Sequence, residues 1–389
     1  MFSCRVPGER HPNRVSLALG RARLARSLID LTVSNPTRVG IRYPDTLLAS
    51  LASADALAYN PSPFGMEEAR RAIADTYVRR GLVMEPRQVV LTASTSEAYS
   101  LLFKLLCDPA ADVVLTPVPS YPLFDYLASL DGVRQTRYPL EYHGRWSVDG
   151  SELDRVWGDR VRALLAVTPN NPTGSFLSDA DAAGLIARCA ARDAALILDE
   201  VFVDYPLRDG AAEPASTAAP DCLLFRLGGL SKSAGLPQVK LGWMTVEGPP
   251  ALVDEALDRL ELICDTYLSV STPVQIAAPG LIEASSGVRD QIRRRLRANL
   301  DQLRAQVCRG AGGASLLEPD AGWSAVLRVP SRDGEEALVL DLLEQDGVVV
   351  QPGFFFDFPS EAYLVISLLP EPAVFAAGVR RILERVDAA

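Results

Sequence analysis

The sequence predicts an α/β protein: a large domain with a mainly parallel mixed sheet covered by helices on both faces, plus a small α/β domain built from the N- and C-terminal segments. Three observations predict it. Apolar, β-branched runs alternate with helix-length amphipathic stretches through the middle of the chain, as strands joined by crossover helices do. Those runs are apolar along their whole length, which suits strands covered on both sides. The chain has 389 residues, 48% hydrophobic and 23% charged, enough for one large core and a smaller companion.

Taken in order, the predicted strands of the large sheet are Val89–Thr92, Val113–Thr116, Arg162–Thr168, Ala195–Asp199, Cys222–Leu227 and Leu241–Glu247. Helices are expected at Thr95–Leu106 and at Asp179–Arg192, the latter opened by Ser178 as N-cap with Asp181 three residues on. After Pro249 the texture turns helical, with Ala251–Tyr267, Thr272–Glu283 and an Arg-rich segment, Val288–Arg309, long enough to reach between two domains. A second α/β pattern follows, with strands at Gly322–Val329, Val348–Gln351 and Tyr363–Leu369 and helices near Glu335–Gln345 and Glu371–Val386. The expected division is an N-terminal segment, 1–44, packing with the small domain, a large domain over 45–287 and a small domain over 288–389. There is no internal repeat, low-complexity tract or Gly/Ser linker.

Several function classes are disfavoured. The net charge is −10 and no run of five Lys/Arg occurs, so nucleic acid is not an expected partner. The six cysteines are scattered without a C-x-x-C pair or clustered His, so neither a metal site nor a disulfide framework is expected, and they read as small buried hydrophobes in a reducing compartment. No N-terminal apolar segment and no stretch of about 18 apolar residues is present, which leads to the expectation of a cytoplasmic protein without membrane spans. The two histidines, His11 and His143, lie in a polar segment and beside Gly144 in a turn, poor places for acid/base catalysis.

Lysine is scarce: of 39 Lys and Arg only Lys104, Lys232 and Lys240 are Lys. Lys232 lies in G-G-L-S-K-S-A-G-L-P-Q-V-K-L-G-W, residues 228–243, where an apolar strand breaks into Gly/Ser/Pro chemistry. Catalytic groups collect at such strand ends. A lysine there, short of carboxylate partners, can form an imine with an aldehyde cofactor; the plain alternative is a solvated surface lysine.

Three further segments bear on the same chemistry. In L-I-L-D-E-V-F, Asp199 ends a buried strand and needs a cationic partner, whether a protonated pyridine nitrogen, an Arg or a helix N-terminus. In T-P-N-N-P-T-G, Asn171 sits in an Asn-Pro turn where its amide can donate, although such turns are common. In V-V-L-T-A-S-T-S-E-A, Ser94, Thr95 and Ser96 open a helix whose free N–H groups and hydroxyls could cradle a phosphate or simply cap the helix.

Together, in this order and spacing, the four segments resemble the class I/II aminotransferases of pyridoxal 5′-phosphate (PLP) fold type I, from about Ile29 to Arg385. The resemblance implies Lys232 as the Schiff-base lysine, flanked by Ser231, Asp199 on the pyridine nitrogen, Asn171 on the ring's 3′ oxygen and Thr95 with Ser96 at the phosphate. It also implies Tyr121 over the ring face, and a homodimer in which Tyr59 reaches the neighbouring subunit's phosphate. The implied reaction moves an amino group between an amino acid or amine and a keto acid. Three positions depart from the family. Phe202 stands where a Tyr would donate to the 3′ oxygen, Lys240 where an Arg would grip the phosphate, and Val365 where an Arg would hold the substrate's α-carboxylate. That leaves Arg38, with Asn35 in the same S-N-P-T-R segment, as the substrate-side candidate. It also keeps a PLP-dependent lyase, decarboxylase or oxidase open as alternatives.

Overall fold

The computed structural model describes residues 2–8, 11–208, 220–310, 313–330, 334–360 and 362–388. Its centre is an eight-stranded sheet in the order Val89–Thr92, Gly242–Glu247, Leu224–Gly229, Ala195–Asp199, Val161–Val167, Val113–Val118, Arg134–Tyr142, Trp146–Val148. The pairings among the Leu224–Gly229, Ala195–Asp199, Val161–Val167, Val113–Val118 and Arg134–Tyr142 strands are parallel, and the remaining three are antiparallel. The central strands are buried along their length, as their continuous apolar runs require, and helices cover them through two separate apolar clusters.

A four-stranded antiparallel sheet, Ser315–Leu317, Ser324–Arg328, Tyr363–Ser367, Gln351–Pro352, forms the smaller layer. The N-terminal strand Ile29–Asp30 pairs in parallel with Val348–Val349, which brings the two ends of the chain together. The long helix Ser286–Arg309 fastens them: Arg295 donates to the carbonyls of Val39 at 2.9 Å and Leu369 at 3.0 Å. Asn299, fully buried on the same helix, donates to the carbonyls of Leu368 and Pro370, each at 2.8 Å.

Most expected elements are present, with Ser178 capping the Asp179–Ala191 helix by accepting from the Asp181 N–H at 3.1 Å. The departures have physical reasons. The Val348–Gln351 run is two strands, because its first half pairs with Ile29–Asp30 and its second with Tyr363–Ser367. The helix expected over Glu335–Gln345 is α-helical only to Asp341 and widens over Leu342–Asp346 before Gly347 turns at φ 67°. Arg134–Tyr142 and Trp146–Val148, unforeseen, lie toward one edge of the sheet, where solvent on one side permits polar residues. Cys4 and Cys308 are exposed, correcting the expectation that all six thiols are buried; the other four are. Among the described residues no helix is long and apolar enough to cross a membrane, and no group of three or more His, Cys, Asp or Glu could hold a metal.

Beneath the strand ends lies a buried charge network. The Arg226 side chain is fully buried, pairs with Glu200 and meets Glu247 at 2.9 Å, while Arg80 reaches Glu200 at 2.7 Å. Burial alone would raise the Glu200 carboxyl, but Arg226 and Arg80 outweigh it and hold its pKa below the ordinary value. Removing one partner from such a network leaves charge uncompensated. Arg226→Met is therefore expected to lower unfolding free energy by about 3–5 kcal/mol, read from urea denaturation of the cofactor-free protein.

Candidate active site

The Leu224–Gly229 strand ends in glycine and passes directly into one short helical turn, Leu230–Ser233. Lys232 sits on that turn, which is tied on several sides. Ser233 Oγ donates to the Gly229 carbonyl at 3.0 Å, Tyr205 Oη donates to the Lys232 carbonyl at 2.5 Å, and Arg289 Nε donates to the Ser233 carbonyl at 2.8 Å. The backbone is thus fixed while the amine stays free. Its Nζ stands 5.0 Å from the Trp323 ring centre and 5.5 Å from that of Phe202. Burial lowers the Lys232 pKa, and the Asp199 carboxylate partly restores it. A lysine with a depressed pKa holds more neutral, nucleophilic amine near neutral pH.

Asp199 closes the neighbouring strand and is buried. Burial raises its carboxyl from an ordinary 3.8 to about 6, against hydrogen bonds from Tyr99 Oη at 2.7 Å and the Val201 N–H at 3.1 Å. The Tyr99 hydroxyl, pushed well above its usual pKa by burial and then by Asp199, stays protonated and donates. Asp199 also raises Tyr121, second to burial, so the carboxylate acts on Lys232, Tyr99 and Tyr121 alike. Tyr121, 39% exposed, meets Phe124 edge-on at 5.8 Å.

In the Asn-Pro turn the two asparagines divide the work. Asn170, which the sequence did not single out, is buried and locked: its amide donates to the Pro119 carbonyl at 3.0 Å and Thr173 Oγ1 at 2.9 Å, and its oxygen accepts from Ser120 at 3.0 Å. Asn171 is half-buried, and only its oxygen is engaged, by Ser324 Oγ at 3.5 Å. Its NH₂ remains available for a ligand.

The helix Thr95–Leu106 begins against Gly242. A Cβ on Gly242 would stand 2.8 Å from the Ser94 carbonyl carbon and 3.0 Å from the Thr95 nitrogen, so only glycine permits this approach. Ser94 is spent as the N-cap, accepting from the Glu97 N–H at 3.2 Å. Thr95 and Ser96 occupy the first turn, where helical N–H groups lack intrahelical partners. Lys240, two residues before Gly242, is exposed with φ 58°. Ser231 is half-buried beside Lys232.

The substrate-side candidates stand apart from this cluster. Asn35 caps the Pro36–Arg38 turn, its oxygen accepting from the Thr37 N–H at 3.0 Å and hydroxyl at 2.8 Å, and Arg38 is exposed. The segment before it is joined to the Tyr363–Ser367 strand: the Ser367 N–H donates to the Leu31 carbonyl at 2.7 Å and its Oγ to that of Val33 at 2.6 Å. Val365 is 1% exposed and packs within an apolar cluster. Tyr59, 80% exposed, lines a surface cleft with Tyr267, Ser269 and Thr272 and does not join the Lys232 surroundings within one chain.

A lysine amine beside a buried carboxylate that lacks a full counter-charge, next to a helix start with free N–H groups, suits a cofactor bearing an aldehyde, a basic ring nitrogen and a phosphate. The comparisons agree. Residues 28–382 match the family model described as aminotransferase class I and II. The chain is 26% identical to the alanine aminotransferase of Mycobacterium tuberculosis, over 98% of this chain and 89% of that protein. It is 24% identical to the glutamate-pyruvate aminotransferase AlaA of Escherichia coli K12, over 88% and 86%. In fold it is similar to an alanine aminotransferase from Pyrococcus furiosus, with a TM-score of 0.86 at 22% identity, over 96% of each chain. The chain belongs to the class I and II aminotransferase family. It is a PLP-dependent aminotransferase.

Because burial raises Asp199 in the cofactor-free protein, its contribution to stability is fully present below the unfolded value near 3.8 and lost as pH rises through about 6. Asp199→Asn removes that loss. The stability of Asp199→Asn relative to wild type, both cofactor-free, is expected to grow by on the order of 2–3 kcal/mol between pH 4 and pH 7 in urea titrations.

Proposed function

We propose that Lys232 would anchor PLP covalently and that its amine, when free, would act as the base at the amine-bearing carbon of the substrate. The observation that carries this reading is the fixed backbone and depressed pKa of Lys232 beside Asp199. Bound PLP supplies an electron sink for the bond broken at that carbon. Asp199 is the carboxylate for the protonated ring nitrogen, a cation that would return its pKa toward the ordinary range. The free NH₂ of Asn171 donates to the 3′ oxygen, and Tyr121 covers the ring face. Thr95 and Ser96 receive the phosphate, with Ser94 organising the turn and Ser231 and Lys240 flanking it. Lys240 offers a point charge rather than a fork.

Phe202 contributes an apolar wall and no donor, so the 3′ oxygen relies on Asn171. Arg38 and Asn35 form the substrate-side mouth. The relatives named for alanine and for glutamate-pyruvate transfer support a small amino/keto acid pair as substrates. The exposure of Tyr59 supports a homodimer in which it meets the neighbouring site. We further assign residues 45–287 to the cofactor-binding unit, 1–44 and 288–389 to the smaller one, and the protein to the cytoplasm.

Two measurements test the reading. After borohydride reduction, peptide mapping is expected to find the cofactor on Lys232, and Lys232→Ala to lose both this label and activity by about a thousandfold or more. Phe202→Tyr adds a donor that favours the deprotonated form of the bound cofactor. It is therefore expected to lower the pH midpoint of the visible absorbance band by about one unit, with the protein otherwise intact.

A further inference from the structure

Lys232 Nζ stands in a corner made by two aromatic rings. It lies over the Trp323 ring, 5.0 Å from its centre, and over that of Phe202 at 5.5 Å. Among the described residues no other cation lies over two rings. Phe202 comes from the turn after the Ala195–Asp199 strand of the large sheet, and Trp323 from the position just before the Ser324–Arg328 strand of the small one. The two rings meet at 67° with their centres 5.4 Å apart, and Tyr205 packs on Trp323 at 66° and 5.2 Å. Both are buried, Phe202 at 8% and Trp323 at 3% exposure, so a cation held over their faces is screened less than one at the surface. Tryptophan is not the residue that packing alone would favour here. Its Nε1–H is buried with no hydrogen-bond partner among the described residues, a destabilising feature that phenylalanine or leucine would not carry at the same place. What indole adds over either is the most electron-rich face of the aromatic side chains.

A charge develops at this corner during the reaction. When the free amine takes a proton from the amine-bearing carbon, the C–H electron pair stays with the substrate and Nζ becomes an ammonium. Of the titratable groups around the lysine, Asp199 acts on that charge, but with the cofactor bound its carboxylate answers the ring nitrogen. Tyr99 and Tyr121 face Asp199, and Glu200 is closed by Arg226 and Arg80. Tyr205, Arg289 and Tyr43 donate instead to the carbonyls of Lys232, Ser233 and Gly235, and Arg289 lies 3.9 Å from Asp204. The two ring faces are left to stabilise the ammonium.

We propose that Trp323 and Phe202 form an aromatic corner that stabilises the Lys232 ammonium, making Trp323 a positioning residue for proton transfer at the substrate carbon, a role that rests on the assignment of Lys232 as anchor and base. Burial lowers the pKa of Nζ, whereas ring faces that favour the charged form raise it, so removing a face lowers it further.

The test titrates Lys232 in the full-length, cofactor-free chain by competitive acetylation across pH with peptide mass mapping, the exposed Lys104 and Lys240 serving as internal references. Trp323→Leu keeps an apolar neighbour and removes the face. It is expected to lower the Lys232 midpoint by about one pH unit, and Trp323→Phe by about a third of a unit. In the PLP-loaded enzyme, with L-alanine and its α-deuterated form, Trp323→Leu is expected to lower kcat by about threefold or more and to enlarge the isotope effect, with KM changed by less than about twofold. Should Trp323→Leu misfold, Phe202→Leu removes the other face and is expected to move the midpoint the same way. A folded leucine variant whose Lys232 midpoint stays in place overturns the proposal, as does a Trp323→Phe midpoint that falls as far as that of Trp323→Leu, since the N–H and not the face would then be the active part. A cofactor label on another lysine after borohydride reduction would instead overturn the lysine assignment, a separate result, because the cofactor-free titration reads the ring contacts whichever lysine anchors the cofactor.

Discussion

A carboxylate buried at the end of a strand, with hydrogen bonds but no full counter-charge, is the constraint around which the site is organised. Asp199 takes one bond from Tyr99 and one from its own turn, and its pKa still rises to about 6. Its sequence neighbour Glu200 is equally buried, yet its pKa falls, because Arg226 and Arg80 more than offset the burial. Two adjacent carboxylates thus face opposite environments. Glu200 is closed within the protein, which makes it structural. Asp199 is left a cation short, so burial raises its pKa, and alternation along the chain sends the two side chains to different partners.

The same division explains how much was legible beforehand. The buried strands and Lys232 could be read because their signals are local: continuous apolar runs, and one lysine in a Gly/Ser turn of a chain that otherwise uses arginine. Tyr99 and Trp323 could not. Tyr99 lies in an apolar helix run and meets Asp199 100 positions away; nothing local marks it apart from a hydroxyl on an otherwise apolar face. Trp323 directly precedes the Ser324–Arg328 strand of the other sheet, and its approach to Lys232 depends on how the two sheets meet. Asn170 and Asn171 are indistinguishable by pattern in T-P-N-N-P-T-G, and only three-dimensional partners separate the locked one from the available one. Arg134–Tyr142 and Trp146–Val148, toward one edge of the large sheet, escaped notice because a partly solvated strand need not be apolar.

Register does as much as residue type. The antiparallel pairing of Val89–Thr92 with Gly242–Glu247 puts Gly242 opposite Thr92, just before the Ser94 cap. The glycine lets the two backbones close to contact at the point where the helix N–H groups are free. A shift of that register by one residue would turn every side chain of the strand to the opposite face.

Charge is distributed asymmetrically across the site. On the large-sheet side stand an amine, a carboxylate, a helix N-terminus and a second lysine, a set that complements a zwitterionic, phosphorylated cofactor. From the small-sheet side Ser324 bonds to Asn171 and the Trp323 ring approaches Lys232. The charged groups and these neutral ones are carried by different sheets, so the surroundings of Lys232 are complete only where the two sheets meet.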